Sequence, residues 1–581
     1  MDQTELDKIG VSQIDSSAAR ARAWPASVQW RRAGLVTAAA LVTWCYAPAL
    51  RAYFMLDDFL ILALVRMVGA PLQAFYHDHF FGSPFFRPLG FLVWWLASAC
   101  FESAPRGQYA VNLLLHLGVV FALYALLQRL RRNAPLNVVW AAAFGVHPVA
   151  IGTALWLSDR FDLIATAFSL LAISAAVDYA RRPRTAALAM LLGCVLAAFM
   201  GKEIAIVGAI AACALIALPN RDWPLTARQR WPAVAAIVLL VGAWLAYRAA
   251  LLSNPQNALV HADSMLAMFA RGIWLWLRVG YDYFIVDPRQ ATWMTLLQAL
   301  GALLIVVAIV AAARAGRLAL RAWGLAAALL VLMFLPAPTQ APVVTLFVSD
   351  PGPARDWFHM AIESRLFHIS LAALVAALML LTTPDPARRD VAPTVRRGDA
   401  LVAGGLLLMI VAWASASHAL AHDYASHSRE QIPTLRAAHE AIARLALPER
   451  HCQIYLLDTA GLLDFAGSGD AIIKATTPDL TRLQHCLILT ERAPWGSFLR
   501  DGQLDDYRPL RALTDHGKQI PWLRLGDLEL AYLNLDADID ARTLDDALFL
   551  EYRNGAFTDV TAAVRSGARP VRFFNARPDQ K

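Results

Sequence analysis

Apolar runs of 16–22 residues recur through the first 420 positions, separated by short breaks rich in arginine. Each run is long enough to cross a hydrocarbon core of about 30 Å as a helix. The pattern predicts eleven spans, at about 34–53, 109–128, 136–156, 162–180, 185–201, 204–219, 232–252, 293–313, 319–336, 364–382 and 400–419. Two further apolar stretches, 88–102 and 264–285, read as interfacial or re-entrant helices. The first is only about 15 residues long and opens on Pro88. Counting it as a crossing would place Arg129, Arg131 and Arg132 on the side opposite the other arginine clusters.

Beyond residue 420 the pattern changes. Asp, Glu and His become frequent, and short runs at 453–457, 486–490 and 529–533 read as strands. Helix-like stretches at 430–447 and 541–548 alternate with them, and 552–557 reads as a hairpin turn around Asn554-Gly555. The expected organisation is a cytoplasmic tail at 1–33, a transmembrane unit at 34–420 and a soluble α/β domain at 421–581.

Composition agrees. The chain is 58% hydrophobic and only 17% charged, where soluble proteins carry about 25% charged residues. A soluble enzyme, a secreted disulfide scaffold and a disordered chain are excluded. The net charge of +7 does not point to nucleic acid, because most arginines sit in short loops where they fix orientation. With those loops cytoplasmic, eleven crossings put the N-terminus inside and the C-terminal domain outside. No apolar signal region precedes the first span.

Six cysteines include no C-x-x-C pair, which argues against zinc and redox motifs. Cys452 and Cys486, each beside an expected strand of the outer domain, are the candidate disulfide.

The threading gathers a particular set of polar residues on the outer side. Asp57 and Asp58 follow the first span, and His77, Asp78, His79 and Arg87 share the first outer loop. Arg160 and Asp162 lie at the turn near 160, Lys202 and Glu203 at the next outer turn, and Glu363 and Arg365 near the tenth span. Lys202 is the only lysine between residues 9 and 473. Arg87, Arg160, Lys202 and Arg365 stand against the inside-positive bias, so an anionic ligand is the expected compensation. A neighbouring carboxylate could then serve as general base toward an acceptor hydroxyl.

This arrangement resembles the GT-C superfamily of membrane glycosyltransferases, and within it the protein O-mannosyltransferase branch with tetratricopeptide tails. The carrying segments are Phe54-Met-Leu-Asp-Asp58, Phe85-Phe-Arg-Pro-Leu89, Asn112-Leu-Leu-Leu-His116 and His147-Pro-Val149, then Trp156-Leu-Ser-Asp-Arg-Phe-Asp-Leu163, Gly201-Lys-Glu203 and Glu363-Ser-Arg-Leu-Phe-His-Ile-Ser370. The likeness covers roughly residues 34–420, and the repeat tail is replaced by the α/β domain. It implies transfer of a sugar from a polyprenyl-phosphate donor to a glycan, lipid or protein acceptor at the outer face of a bacterial inner membrane, by an inverting displacement. It implies a catalytic role for Asp57, with Asp58 as fallback, and donor-phosphate contacts from Arg87 and Arg160. Lys202 and Arg365 join them as cations. Asp162, Glu203, Glu363 and His79 fall at further positions of the site.

Some members of the superfamily use a divalent metal and others do not. His77, Asp78 and His79 offer ligand types, but a solvated polar patch is the simpler reading, so no metal or other cofactor is assigned. His116 and His147, on apolar spans, read as buried hydrogen-bonded side chains, and Trp94 and Trp95 as interfacial anchors. Two rival functions are an O-antigen-type polymerase or ligase and a lipid-glycan transporter or flippase. The first leans on Arg and His in a large outer loop and needs no acidic pair at the end of the first span. The second favours ionisable groups at the bilayer midplane in paired halves, whereas here the charges gather at one interface and no paired halves are visible.

Overall fold

The computed structural model describes residues 29–55, 57–67, 70–76, 86–102, 104–131, 136–218, 225–251, 292–314, 320–334, 365–382, 394–445, 447, 452–457, 469–478, 480–490, 497–500, 523–525, 528–531, 540–544 and 547–571. The expectations at 77–79, 264–285 and Glu363 lie outside the described residues.

The described residues in the first two thirds of the chain are mostly helical. In order they are α1 (Gln29–Arg51), α2 (Asp57–Met67), α3 (Pro88–Phe101), α4 (Pro105–Leu130), α5 (Asn137–Gly145), α6 (Ile151–Leu155) and α7 (Arg160–Arg181). Then come α8 (Thr185–Gly201), α9 (Ile206–Ala217), α10 (Ala227–Leu251), α11 (Thr292–Arg314), α12 (Leu320–Phe334), α13 (His368–Thr382) and α14 (Thr394–Ser428). Among the described residues six helices are long and apolar enough to cross a membrane, and the bent pair around α5 and α6 makes a seventh. Helices α8, α9, α12 and α13 occupy the remaining expected spans. The chain is a multi-pass α-helical membrane protein.

The bend between α5 and α6 is 53°. Pro148 causes it, because proline has no N–H and its ring blocks the helical ladder. In hydrocarbon the carbonyls so released must find donors inside the protein. They find them on three other helices. His116 Nε2 of α4 lies 2.9 Å from Gly145 O, Ser417 Oγ of α14 donates to Val146 O at 2.8 Å, and Tyr46 OH of α1 donates to His147 O at 3.4 Å. One helical turn from His116, Asn112 Nδ2 donates to Thr153 O at 3.2 Å and Ala154 O at 3.0 Å, closing the end of α6. His116 and His147 are buried and hydrogen-bonded, as expected.

Helices α4 and α7 run parallel. Their first turns meet where Arg160 donates to Gln108, and their last turns meet where Arg129 Nε donates to Asp178 at 2.7 Å. The broken segment between them therefore returns across the full thickness. Helix α3 does not run alongside them. Its N-cap Arg87 bonds Glu203, its Trp94 covers Arg160, and its Ser98 accepts from Gln108 Nε2 at 3.1 Å. All three partners sit at the same end of the bundle, so α3 lies across the helix ends. Gly90 permits the close approach, since a Cβ there would come within 2.0 Å of the Phe161 ring.

Helix α14 runs on through position 421 and is followed by α15 (Ile432–Arg444). A small α/β unit comes next: β1 (Cys452–Leu457), α16 (Gly469–Thr476), β2 (Cys486–Thr490), β3 (Ser497–Arg500), β4 (Leu523–Leu525), β5 (Leu528–Ala531), β6 (Ala547–Arg553), β7 (Ala556–Asp559) and α17 (Thr561–Arg565). One sheet has the order β2-β1-β6-β7, with β1 parallel to both neighbours and β7 antiparallel to β6; β3, β5 and β4 form a second, antiparallel sheet. Cys452 and Cys486 face each other in register and form a disulfide. The turn between β6 and β7 has Asn554 and Gly555 at φ 51° and 83°, the left-handed pair a two-residue hairpin needs.

The helix expected at 541–548 is a correction. Only a single 3-10 turn forms at Ala541–Thr543, and β6 begins at Ala547. Burial of Ala547, Phe549 and Leu550 beside β1 overrides the local helical preference of that run.

Replacing Asn112 with leucine keeps the volume and removes the donor to α6. Asn112→Leu is expected to destabilise the protein by about 1–3 kcal/mol, as for any unsatisfied buried carbonyl. A thermal unfolding scan in detergent would read this as a lowered midpoint, with the exposed Leu114→Ala as a silent control.

Candidate functional site

The turn after α6 is where the charged residues converge. Asp58, in the first turn of α2, is fully buried and grips that turn. Its Oδ1 accepts from Ser158 N at 2.8 Å and Ser158 Oγ at 2.6 Å, and its Oδ2 from Met55 N at 3.0 Å. Burial pushes its pKa up to about 7, against the pull of those hydrogen bonds and of Arg160.

Asp57 precedes it and behaves differently. The residue is exposed, yet enough protein surrounds the carboxyl to raise its pKa, while Arg365 and then Arg87 act in the opposite direction. Asp57 thus lies on the wall of an open recess with two guanidinium groups in range. It has no ion pair or side-chain hydrogen bond among the described residues, which suits a carboxylate that must accept a proton from outside.

The backbone on either side is fixed. Tyr53 N donates to Ser428 Oγ at 2.9 Å, Tyr109 OH donates to Tyr53 O at 2.8 Å, and Gln431 Nε2 donates to Phe54 O at 2.6 Å. At the far end of α2, Arg66 donates to the carbonyls of Lys474, Ala475 and Thr477, at 3.1, 2.7 and 2.8 Å. Those carbonyls close the C-terminal end of α16, so α2 joins the bundle to the α/β unit.

Four cations gather at this end of the bundle, each against a carboxylate from another element, and two of them, Arg365 and Arg87, act on Asp57. Arg87 donates through Nε and Nη2 to Glu203 Oε2, at 3.3 and 3.1 Å, with Phe161 beneath the guanidinium at 5.4 Å. Arg248 of α10 reaches Glu203 Oε1 at 3.7 Å. Lys202 Nζ lies 2.5 Å from Asp162 Oδ2. Arg365 is 3.7 Å from Asp159 Oδ1 and stacks over Trp156 at 4.5 Å. Their side chains keep 12–15% of their surface accessible, so each is held in place and still open to a ligand. Asp159 Oδ2 and Asp162 Oδ1 are buried with no hydrogen-bond partner among the described residues.

Arg160 departs from the expectation of a phosphate contact. Its guanidinium is wholly buried, donating to Gln108 Oε1 at 3.1 Å and Gln108 O at 3.2 Å, with the Trp94 ring 3.9 Å away. It locks α7, α4 and α3 together and presents no open face. Trp94 departs likewise: it is buried as the platform for Arg160, and only Trp95 keeps partial exposure. Of the other expected residues, Asp58, Arg87, Asp162, Lys202, Glu203 and Arg365 converge, whereas His77, Asp78, His79 and Glu363 lie outside the described residues. Arg248 was missed. The threading signal that marked the others applies to it as well, since it is basic and close to the outer end of the seventh expected span.

Among the described residues the one set of three potential ligands within reach of a common ion is Cys452, His485 and Cys486, and both thiols are in the disulfide.

The two adjacent aspartates should separate in a stability assay. Asp58→Ala strands the Ser158 and Met55 donors and is expected to cost about 2–4 kcal/mol, whereas Asp57→Ala should leave the unfolding midpoint nearly unchanged. Parallel thermal scans of the two purified variants measure the difference.

No family model and no curated protein sequence matches the chain. Its path is similar to that of solved structures at low identity. One is the archaeal oligosaccharyltransferase AglB from Archaeoglobus fulgidus, in complex with an inhibitory peptide and a dolichol-phosphate. The identity is 10% over 77% of this chain and 63% of that one, at a TM-score of 0.38. This chain therefore spans less than two thirds of AglB. Another is ArnT from Cupriavidus metallidurans. In the apo state it is 12% identical over 87% of this chain and 98% of that one, at a TM-score of 0.39. Bound to undecaprenyl phosphate it is 12% identical over 86% and 97%, at a TM-score of 0.36. Likeness at this level is one of general outline and assigns no residue.

Proposed function

We propose that this protein is a membrane glycosyltransferase that moves a sugar from a polyprenyl-phosphate donor to an acceptor hydroxyl at the outer face of a bacterial inner membrane. One observation carries the reading. An accessible, unpaired carboxylate faces preset guanidinium groups at the end of an apolar helix bundle. A lipid-linked phosphate needs cations at that depth, with its tail among helices. A hydroxyl nucleophile needs a base beside them.

In this mechanism Asp57 takes the acceptor's hydroxyl proton as the oxygen attacks the anomeric carbon. The bond between that carbon and the phosphate oxygen breaks, and its electron pair leaves with polyprenyl phosphate. The configuration at the sugar inverts. Arg87, Arg365, Lys202 and Arg248 stabilise the charge that develops on the departing phosphate. Asp58 and Arg160 are positioning residues: the first fixes the turn of 157–159, the second the helix ends. The transmembrane unit at 34–420 carries the chemistry, with residues 1–33 cytoplasmic and the α/β domain periplasmic.

The test is sugar transfer by the purified full-length protein from labelled polyprenyl-phosphate sugars to membrane acceptors. Asp57→Asn should lower kcat by about 10²–10⁴-fold, the usual contribution of a general base. Transfer at the wild-type rate would overturn the assignment.

The pH profile adds an independent check. Asp57 works deprotonated, and its raised pKa puts the acidic limb of kcat/KM above the ordinary carboxylate value of about 3.9. Arg365 favours the charged form, so Arg365→Ala should move that limb to still higher pH. A limb that stays put in the variant would separate Arg365 from the base.

A further inference from the structure

On another side of the bundle, where α1 meets α14, lies a pocket of different composition. Ala47, Pro48 and Arg51 form one wall, and His418, His422, Ser426 and Arg429 line the other with Ala425. His418, His422 and Ser426 follow the helical repeat of α14 at steps of four and form one stripe of that helix, and Arg429 follows just past its end. The cavity holds about 300 Å³.

The charge in this pocket is one-sided. No acidic residue lines it, and neither Arg51 nor Arg429 has an ion pair among the described residues. The nearby Glu430 is engaged by His427 Nδ1 at 3.2 Å. His418 is fixed rather than free, with Nδ1 2.9 Å from Trp44 O and its ring stacked on Trp44 at 4.3 Å. This contrasts with the candidate active site, where Arg87, Arg248, Lys202 and Arg365 each have a carboxylate beside them.

The surroundings identify the kind of ligand. Toward the middle of the bundle the same two helices expose apolar side chains: Val36 and Trp44 on α1, Leu407 and Val411 on α14. These are lipid-facing positions of two candidate spans. Toward the bundle end, the pocket is level with Tyr53, since Ser428, next to Arg429, accepts from Tyr53 N. An apolar strip that ends in two unpaired arginines, two histidines and a serine matches an acyl chain that ends in a phosphate. We propose that this pocket binds the phosphate headgroup of an anionic membrane lipid, separately from the candidate active site.

Arginine forks suit phosphate oxygens, Ser426 adds a hydroxyl donor, and the exposed apolar strip accepts the chain. The zwitterionic headgroup of phosphatidylcholine brings a quaternary ammonium into a cationic pocket and is disfavoured by like charge.

The experiment uses the full-length protein purified into nanodiscs of phosphatidylcholine, with or without phosphatidylglycerol of matched chains. Native mass spectrometry then counts the lipids retained. Phosphatidylglycerol should be retained over phosphatidylcholine. Loss of two charged hydrogen-bonding groups in Arg51→Ala/Arg429→Ala should weaken retention by about tenfold or more. Asp57→Asn should keep it, which separates this pocket from the other site and leaves the outcome independent of the proposed reaction. Should the double variant fail to fold, Ser426→Glu places an acid on the exposed stripe and should repel the lipid in the same assay. Equal retention of the two lipids, or undiminished retention in folded variants, would overturn the proposal. A third arm adds inorganic phosphate to phosphatidylcholine discs. Displacement of phosphatidylglycerol by millimolar phosphate, with equal thermal protection, would identify a soluble-anion site and overturn the lipid assignment.

Discussion

A helix interrupted inside hydrocarbon leaves carbonyl groups that no solvent can satisfy, and the bundle is organised around that constraint. Pro148 makes the interruption, and donors from α1, α4 and α14 answer it. Asn112 and His116 lie one turn apart on α4, so a single helix face serves both sides of the break. The three helices are thereby drawn around the broken segment, and the chain leaving α6 emerges at a fixed place. That exit is the turn of residues 157–159. Asp58 grips it, and through Asp58 the start of α2 and the adjacent Asp57 are placed. A backbone requirement deep in the bundle thus sets the position of a carboxylate at its end.

Charge does the rest of the stitching. Glu203 takes both Arg87 and Arg248, which ties the start of α3, the turn between α8 and α9, and the end of α10. Lys202 and Asp162 tie that turn to α7, and Arg365 and Asp159 bring in the start of α13. Each of these partly buried charges is set against an opposite one, which offsets part of the cost of withdrawing it from water at a membrane boundary. The pairing leaves Asp57 outside the network. Two of the cations act on it at range without engaging it, so its proton affinity depends on the recess and its contents.

Much of this was legible in the residues. Run length gave the helices, and the inside-positive bias placed the unusual cations on one side. The structure brings those within the described residues together at one end. Order along the chain could not reveal which arginine turns inward. Arg160 and Arg87 look alike as isolated basic residues near span ends, and only the packing of Trp94 and Gln108 separates a buried lock from an accessible cation. The same holds for Asp57 and Asp58. Adjacent residues on a helix point about 100° apart, so one faces the turn and the other the recess, but the sequence does not say which. The 541–548 run failed for another reason: Ala, Leu and Arg favour a helix locally, and a parallel strand pairing decided otherwise.

The α/β unit bears on the same site through α2. Arg66 closes three carbonyls at the end of α16, while the other end of α2 is held by Asp58. A short helix fixed at both ends transmits displacement rather than absorbing it, because its backbone hydrogen bonds resist stretching. Movement of the α/β unit relative to the bundle would therefore pull on the segment that carries Asp57. Ser428 and Gln431, at the junction of α14 and α15, hold Tyr53 and Phe54 and oppose that pull. The carboxylate sits between two anchors, both supplied by the chain that follows the last span. The residues after 420 therefore help build the candidate site by holding the segments on either side of Asp57.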